Sequence, residues 1–206
     1  MKVKICGITN FKDALEALDA GADYLGFIFY PKSSRYVSEE SVSTILKKLP
    51  RKDFISVGVF VNADYNQIQA IQRNTGISMV QLHGEETLEL AEKLGKEKVI
   101  KALRTRDIEE MKKWRDHPFV LLDGDAGDHY GGQGIRVNNQ LVRQFKNLYN
   151  GSLMFVAGGL NPQNVDEAIE AFSPDGVDVS SGIELSPGIK NFDKMKAFIH
   201  KAKQGD

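Results

Sequence analysis

Lys4-Ile5-Cys6-Gly7-Ile8-Thr9, close to the amino terminus, reads as the end of a β-strand running into a turn, with the chain's single cysteine at its tip. Near the other end, Gly176-Val177-Asp178-Val179-Ser180-Ser181-Gly182 has the same form, an apolar strand giving way to a Gly/Ser turn. Alternation along a strand puts Lys2, Lys4 and Cys6 on one face, opposite Val3 and Ile5, and groups Asp178 with Ser180. If these strands are neighbours in a closed sheet and both polar sets point inward, Lys4 and Asp178 pair just beneath Cys6. A lone charge there would be costly, so the pair is the economical arrangement.

Working outward, six further strand candidates lie between these two. They are Tyr24 to Phe29, Ile55 to Phe60, Met79 to Leu82, Lys98 to Ala102, Phe119 to Asp123 and Leu153 to Ala157, with the outer pair at Lys2 to Cys6 and Gly176 to Ser180. Most are rich in Val, Ile, Leu and Phe and flanked by turn formers. Helical patterns fill the intervals. One opens at Asn10 and runs to Leu18 before Gly21; another follows Ser38-Glu39-Glu40-Ser41 and stops at Pro50. The others span 62 to 73, 85 to 94, 107 to 115, 138 to 149, 161 to 172 and 192 to 203. Eight β-then-α units of about 26 residues each predict one (β/α)8 TIM barrel over residues 1–206. The competing doubly wound sheet usually needs fewer strands and often carries a Gly-rich first turn. Cys6-Gly7-Ile8-Thr9-Asn10 is not G-x-G-x-x-G.

The bulk properties narrow the function. With 41% apolar and 27% charged residues the chain has the composition of a globular protein. A net charge of −1 gives no basic excess for nucleic acid or an anionic membrane, so an anionic substrate must be drawn in by local groups. One cysteine excludes an internal disulfide and a multi-cysteine zinc cluster. No apolar run approaches the ~20 residues of a membrane span, and the amino terminus opens directly on a strand pattern. The expected location is the cytoplasm. The expected partner is a small molecule, with no nucleic acid, membrane or obligate protein partner.

In a barrel, chemistry gathers at the carboxyl ends of the strands. Cys6 is either a small buried apolar residue or, as thiolate, a base or nucleophile. Asp123, ending the sixth strand, is either a cap for the next turn or a catalytic acid. Asp125 and Asp128 follow in a glycine-rich segment and read as solvated. Ala157-Gly158-Gly159-Leu160-Asn161-Pro162 and Ser180-Ser181-Gly182-Ile183-Glu184 follow the seventh and eighth strands, where barrels often hold a phosphate on main-chain N–H groups. The plain alternative is a pair of tight turns. Arg35, in the loop after the second strand, is either a surface residue or a clamp for a substrate carboxylate. Gln81 and His83 end the fourth strand; His83 lacks a partner at metal-ligand spacing, so no metal is expected. Trp114 is expected to pack a helix.

Taken in order, these segments resemble the phosphoribosylanthranilate isomerase family. The resemblance is carried by Lys4 to Thr9, Leu25-Gly26-Phe27-Ile28-Phe29, Ser33-Ser34-Arg35-Tyr36-Val37, Val57-Gly58-Val59-Phe60-Val61-Asn62 and Gln81-Leu82-His83-Gly84-Glu85. Leu122-Asp123, Gly131-Gly132-Gln133-Gly134, Ala157 to Pro162 and Gly176 to Glu184 complete it. The resemblance implies an Amadori rearrangement of N-(5-phosphoribosyl)anthranilate without metal or organic cofactor. It implies Asp123 as the acid that opens the ribose ring and Cys6 as the base that takes the C2 proton. Asp123 would then need a raised pKa and Cys6 a lowered one. It implies Arg35 on the anthranilate carboxylate, phosphate on the backbone around Gly158, Gly159, Ser181 and Gly182, and Gln81, Asp178 and Ser180 among the substrate-binding residues.

Two positions depart from the family pattern. Gln133 stands where Ser or Thr is common, and Ile135-Arg136-Val137-Asn138 replaces a Lys followed by aromatic residues. Gln133 still donates hydrogen bonds, and Arg136 is a candidate for the missing cation. Rival readings are a histidine-pathway sugar-phosphate isomerase, which would use two aspartates, and a thiamine phosphate synthase, which needs carboxylates for magnesium. A non-catalytic sugar-phosphate sensor is the third; it would require none of Cys6, Asp123 and Arg35.

Overall fold

The computed structural model describes residues 1–50, 53–124 and 137–204. Eight parallel strands close into a barrel in sequence order: β1 (Lys2–Cys6), β2 (Tyr24–Ile28), β3 (Ile55–Phe60), β4 (Met79–Leu82), β5 (Val99–Arg104), β6 (Phe119–Asp123), β7 (Leu153–Val156) and β8 (Gly176–Val179). Helices follow the strands and form the outer ring: α1 (Phe11–Asp19), α2 (Glu39–Lys48), α3 (Tyr65–Thr75), α4 (Leu88–Leu94), α5 (Ile108–Lys112), α6 (Asn139–Lys146), α7 (Val165–Phe172) and α8 (Phe192–Gln204). Among the described residues no helix is long and apolar enough to cross a membrane.

Alternation divides the apolar residues into two layers. Tyr24, Val57, Ile100, Phe119, Leu121 and Phe155 fill the barrel's lumen, with the Tyr24, Phe119 and Phe155 rings meeting edge to face. Residues one step along, such as Val3, Ile5, Leu25, Val120, Leu122 and Val177, pack outward against the helices. The lumen below is therefore an apolar plug, and the inward-facing polar residues sit toward the opposite, carboxyl ends of the strands.

Four strands, β1, β3, β4 and β6, match the expected limits and the other four shift by a residue or two. β5 starts and ends later than expected because Lys98 belongs to a 3₁₀ turn at Lys96–Lys98, whose last N–H donates to the Gly95 carbonyl at 2.8 Å. Phe29 and Ala157 lie just past β2 and β7 but still donate to Val59 and Leu122 carbonyls, and Ser180 lies just past β8. Three helices begin later than their periodicity suggests. Asp64 and Thr87 cap α3 and α4 by accepting from the Gln67 and Leu90 N–H groups, so the residues before them stay in the loop. Ahead of α7, Asn161 N–H donates to Asn164 Oδ1 at 2.8 Å and Gln163 N–H to Asn161 Oδ1, local bonds that compete with helix. Helices α5 and α6 also stop short of 115 and 149. A two-stranded hairpin, β9 (Glu184–Ser186) and β10 (Ile189–Lys190), was not anticipated. Pro187-Gly188 is the turn signal that marks it.

Candidate active site

β1 and β8 pair in the register Lys4↔Asp178, which places both side chains inside the barrel. Lys4 Nζ donates to Asp178 Oδ1 at 2.9 Å, with the lysine side chain fully buried and the carboxylate 9% exposed. The expected pair is present. Burial works against the Lys4 ammonium, but Asp178 and the Cys6 sulfur outweigh it and hold the pKa above 10.5. Cys6 lies one inward step beyond Lys4 and is buried. Gly26 of the neighbouring strand makes room for both groups: a Cβ there would fall 2.8 Å from Cys6 Sγ and 3.2 Å from Lys4 Nζ.

The expectation of a lowered thiol pKa is not met. Burial dominates and pushes Cys6 above 9.0; the Lys4 and Lys190 ammonium groups pull it down, while Asp178 pushes it further up. The thiolate is thus held by two cations but opposed by desolvation and by a carboxylate.

Asp123, at the end of β6, takes the capping role offered for it. Its Oδ1 accepts the Gly124 N–H at 2.8 Å, and its Oδ2 lies 3.3 Å from His83 Nε2 at the end of β4. His83 Nδ1 meets Gln81 Nε2 at 2.8 Å. With the Gln81 amide donating, Nδ1 accepts and Nε2 carries the proton that faces Asp123. Gln81 and His83 are both on the inward face of β4, so the imidazole links Gln81 to Asp123. Sequence reading considered His83 only as a metal ligand; its i+2 spacing from Gln81 at a strand end was the available signal. Removing the imidazole with His83→Asn is expected to lower kcat about 10- to 100-fold with little change in KM, because the carboxyl loses its orientation. An unchanged kcat would show that Gly124 alone suffices to orient Asp123.

The two loops expected to hold phosphate follow the last two strands. Gly158 and Gly159 have φ of +80° and +67°, left-handed positions that glycine takes without strain and that leave the main chain open to a ligand. Asn164 Nδ2 donates to Gly159 O at 2.9 Å, turning that carbonyl away. Ser181 and Gly182 form a single 3₁₀ turn after β8, and Gly182 packs so closely on the loop after β7 that a Cβ would overlap the Leu160 carbonyl. Ser180 Oγ is buried without a hydrogen-bond partner among the described residues. Gly182→Ala is therefore expected to separate the two loops and weaken binding of inorganic phosphate about tenfold or more; equal affinity would show that the loops act independently.

Arg35 is buried, 8% exposed, rather than at the surface. Its Nε and Nη2 form a fork on Glu184, whose oxygens lie 2.7 to 3.0 Å away. Lys190 Nζ donates to Glu184 Oε1 at 2.8 Å and to the Cys6 carbonyl at 2.6 Å. Glu184 and Lys190 escaped sequence reading as site residues because Arg35 lies 149 positions from Glu184 and the Cys6 carbonyl 184 from Lys190. Burial raises the Glu184 pKa, but the Arg35 hydrogen bonds and the Lys190 charge prevail and hold it below 4.5. A carboxylate with a depressed pKa adds stability above its unfolded value and loses it as pH falls through the folded one. Melting temperature is thus expected to drop as pH goes below 4.5, less steeply in Glu184→Gln; identical acid slopes would contradict this.

Asp125, Asp128, Gln133 and Arg136 lie outside the described residues. Trp114 is buried under α5, with its ring 5.3 Å from Lys101 Nζ, as expected of a packing residue. Among the described residues no three His, Cys, Asp or Glu side chains converge as a metal-binding group.

This arrangement has close counterparts. Residues 3–201 match the family described as N-(5'phosphoribosyl)anthranilate (PRA) isomerase. The N-(5'-phosphoribosyl)anthranilate isomerase of Aquifex aeolicus is 43% identical over 204 residues, and that of Thermotoga petrophila 44% over 207, with 98% of each chain covered in both cases. A solved structure of the Thermotoga maritima isomerase aligns with a TM-score of 0.90 at 41% identity, covering 99% of both chains. Another, of a phosphoribosyl anthranilate isomerase in complex with reduced 1-(o-carboxyphenylamino)-1-deoxyribulose 5-phosphate, aligns with a TM-score of 0.85 at 39% identity. From its strand-end chemistry to its full-length match, this chain belongs to the N-(5'-phosphoribosyl)anthranilate isomerase family.

Proposed function

We propose that Asp123 and Cys6 are the acid and base of the family's reaction in this chain. That reaction is the tryptophan-pathway isomerisation of N-(5'-phosphoribosyl)anthranilate to 1-(2-carboxyphenylamino)-1-deoxyribulose 5-phosphate. The Asp123 carboxyl gives its proton to the ribose ring oxygen as the C1–O bond breaks, leaving a Schiff base between C1 and the anthranilate nitrogen. The Cys6 thiolate then takes the C2 proton; the C2–H electrons form the C1–C2 double bond of an enolamine, and the iminium nitrogen accepts the displaced pair. Tautomerisation of the enolamine yields the ketone. Both steps are general acid–base catalysis, with each group held at a strand end.

The observation that carries this reading is the convergence of Cys6 and Asp123 on the same end of the barrel, separated around the ring by β7 and β8. Between them lie the two turns that bring Gly158, Gly159, Ser181 and Gly182 together, which suits a substrate anchored by its phosphate and spanned by acid and base. Arg35 holds the anthranilate carboxylate, and Gln81, Asp178 and Ser180 line the route between. The test is turnover of freshly generated substrate, followed by loss of its fluorescence, in the parent and in Cys6→Ser and Asp123→Asn. Turnover by the parent that collapses in both variants supports the assignment. Full activity in either variant removes that residue's role.

A further inference from the structure

The Arg35–Glu184–Lys190 group is a buried triad that no step of the reaction uses directly. All three side chains are at most 9% exposed. Their charges sum to one positive, and the adjoining Lys4–Asp178 pair adds nothing to that balance. Buried ion groups of this kind seldom add stability over apolar packing of equal volume, which turns attention to their geometry.

The geometry is specific. Glu184 takes the side edge of the guanidinium, the Nε and Nη2 fork. A guanidinium has five N–H bonds and two usable edges. With the side edge spent, the Nη1/Nη2 edge is the one left for a second carboxylate. Glu184 cannot swing, because Lys190 Nζ holds its Oε1 while also holding the carbonyl of Cys6. Gly188 N–H donates to the same Oε1 at 3.3 Å, and Lys190 N–H donates to Asp13 Oδ2 at 2.8 Å, so the hairpin itself is pinned to α1. Arg35 also crosses Gly7, where a Cβ would lie 2.8 Å from Arg35 Cδ. The arginine's direction is thus set relative to the base.

We propose that Glu184, locked by Lys190, is a positioning residue that aims the free edge of Arg35 at the substrate's aromatic carboxylate and so sets the preference for a carboxylated aryl amine. This rests on the reading of Arg35 given above.

The test compares two probes, the reduced carboxyphenylamino product analogue and its counterpart bearing a plain phenyl ring. In Glu184→Gln the carboxylated probe is expected to bind about 10- to 100-fold more weakly, with the phenyl probe changed less than about twofold. KM should rise with kcat little altered. Glu184→Asp, which keeps the charge and the fold but shortens the fork, should lose an intermediate amount on the carboxylated probe alone. Equal losses on both probes, or none on the carboxylated one, would overturn the positioning role. Arg35→Met separates the two claims. If its loss falls equally on both probes or on neither, the reading of Arg35 itself is wrong; if its loss falls on the carboxylated probe alone while neither Glu184 variant shows that selectivity, only the positioning claim falls.

Discussion

Cys6→Ser is expected to reduce turnover of phosphoribosylanthranilate by about three orders of magnitude or more, with the barrel intact by circular dichroism. A positioned general base contributes about 10²- to 10⁴-fold, and serine's hydroxyl is far too weak an acid to be ionised at the site where a thiol already resists ionisation. Asp123→Asn should lose a similar factor for a different reason. The amide still accepts the Gly124 N–H at Oδ1, but it has no acidic proton for the ring oxygen. The two losses should differ in one respect. If substrate is supplied already ring-opened, the asparagine variant should recover while the serine variant should not. Recovery of neither, or of both, would mean that the acid and base roles are divided otherwise between the two residues.

The second large effect concerns the pair beneath the base. Lys4→Met leaves the Asp178 carboxylate buried without its partner, and breaking such a pair costs about 3–5 kcal/mol. Urea unfolding should register this as a lower midpoint. Asp178→Leu in the same chain should restore much of the loss, because two well-packed apolar groups replace two charges; no restoration would mean that packing, not charge, made the pair matter. The same variants should move the thiol in opposite directions. Lys4 pulls the Cys6 pKa down and Asp178 pushes it up, so Lys4→Met should raise the titration midpoint further above 9.0 and Asp178→Asn should lower it. With one cysteine in the chain, ultraviolet absorbance of the thiolate reports this residue alone. Midpoints that do not separate would show that desolvation alone governs the thiol.

Much of this arrangement is legible in the sequence. Strand periodicity located all eight strands because a parallel strand buried on both faces reads as a short apolar run, and the turns between announced themselves with Gly, Asn and Pro. The Lys4–Asp178 pair, 174 positions apart, was also legible. Closure makes the first and last strands neighbours, and alternation then forces both side chains inward. Helix starts were misplaced where Asp64, Thr87 and the Asn161–Asn164 turn set the true boundary, since local side-chain bonds override the 3.6-residue pattern.

The linear chain by itself determined the barrel, the residues at its strand ends and the family to which they belong. Tertiary structure alone decided their electrostatics. Arg35 meets Glu184 across 149 positions, and His83 meets Asp123 between strands that are not neighbours. The thiol, expected to be acidic, is pushed the other way by burial. The division has one physical cause. Periodicity is a property of each segment, whereas a charge's environment is the sum over whatever the closed fold packs against it, and desolvation enters that sum only once the fold has closed.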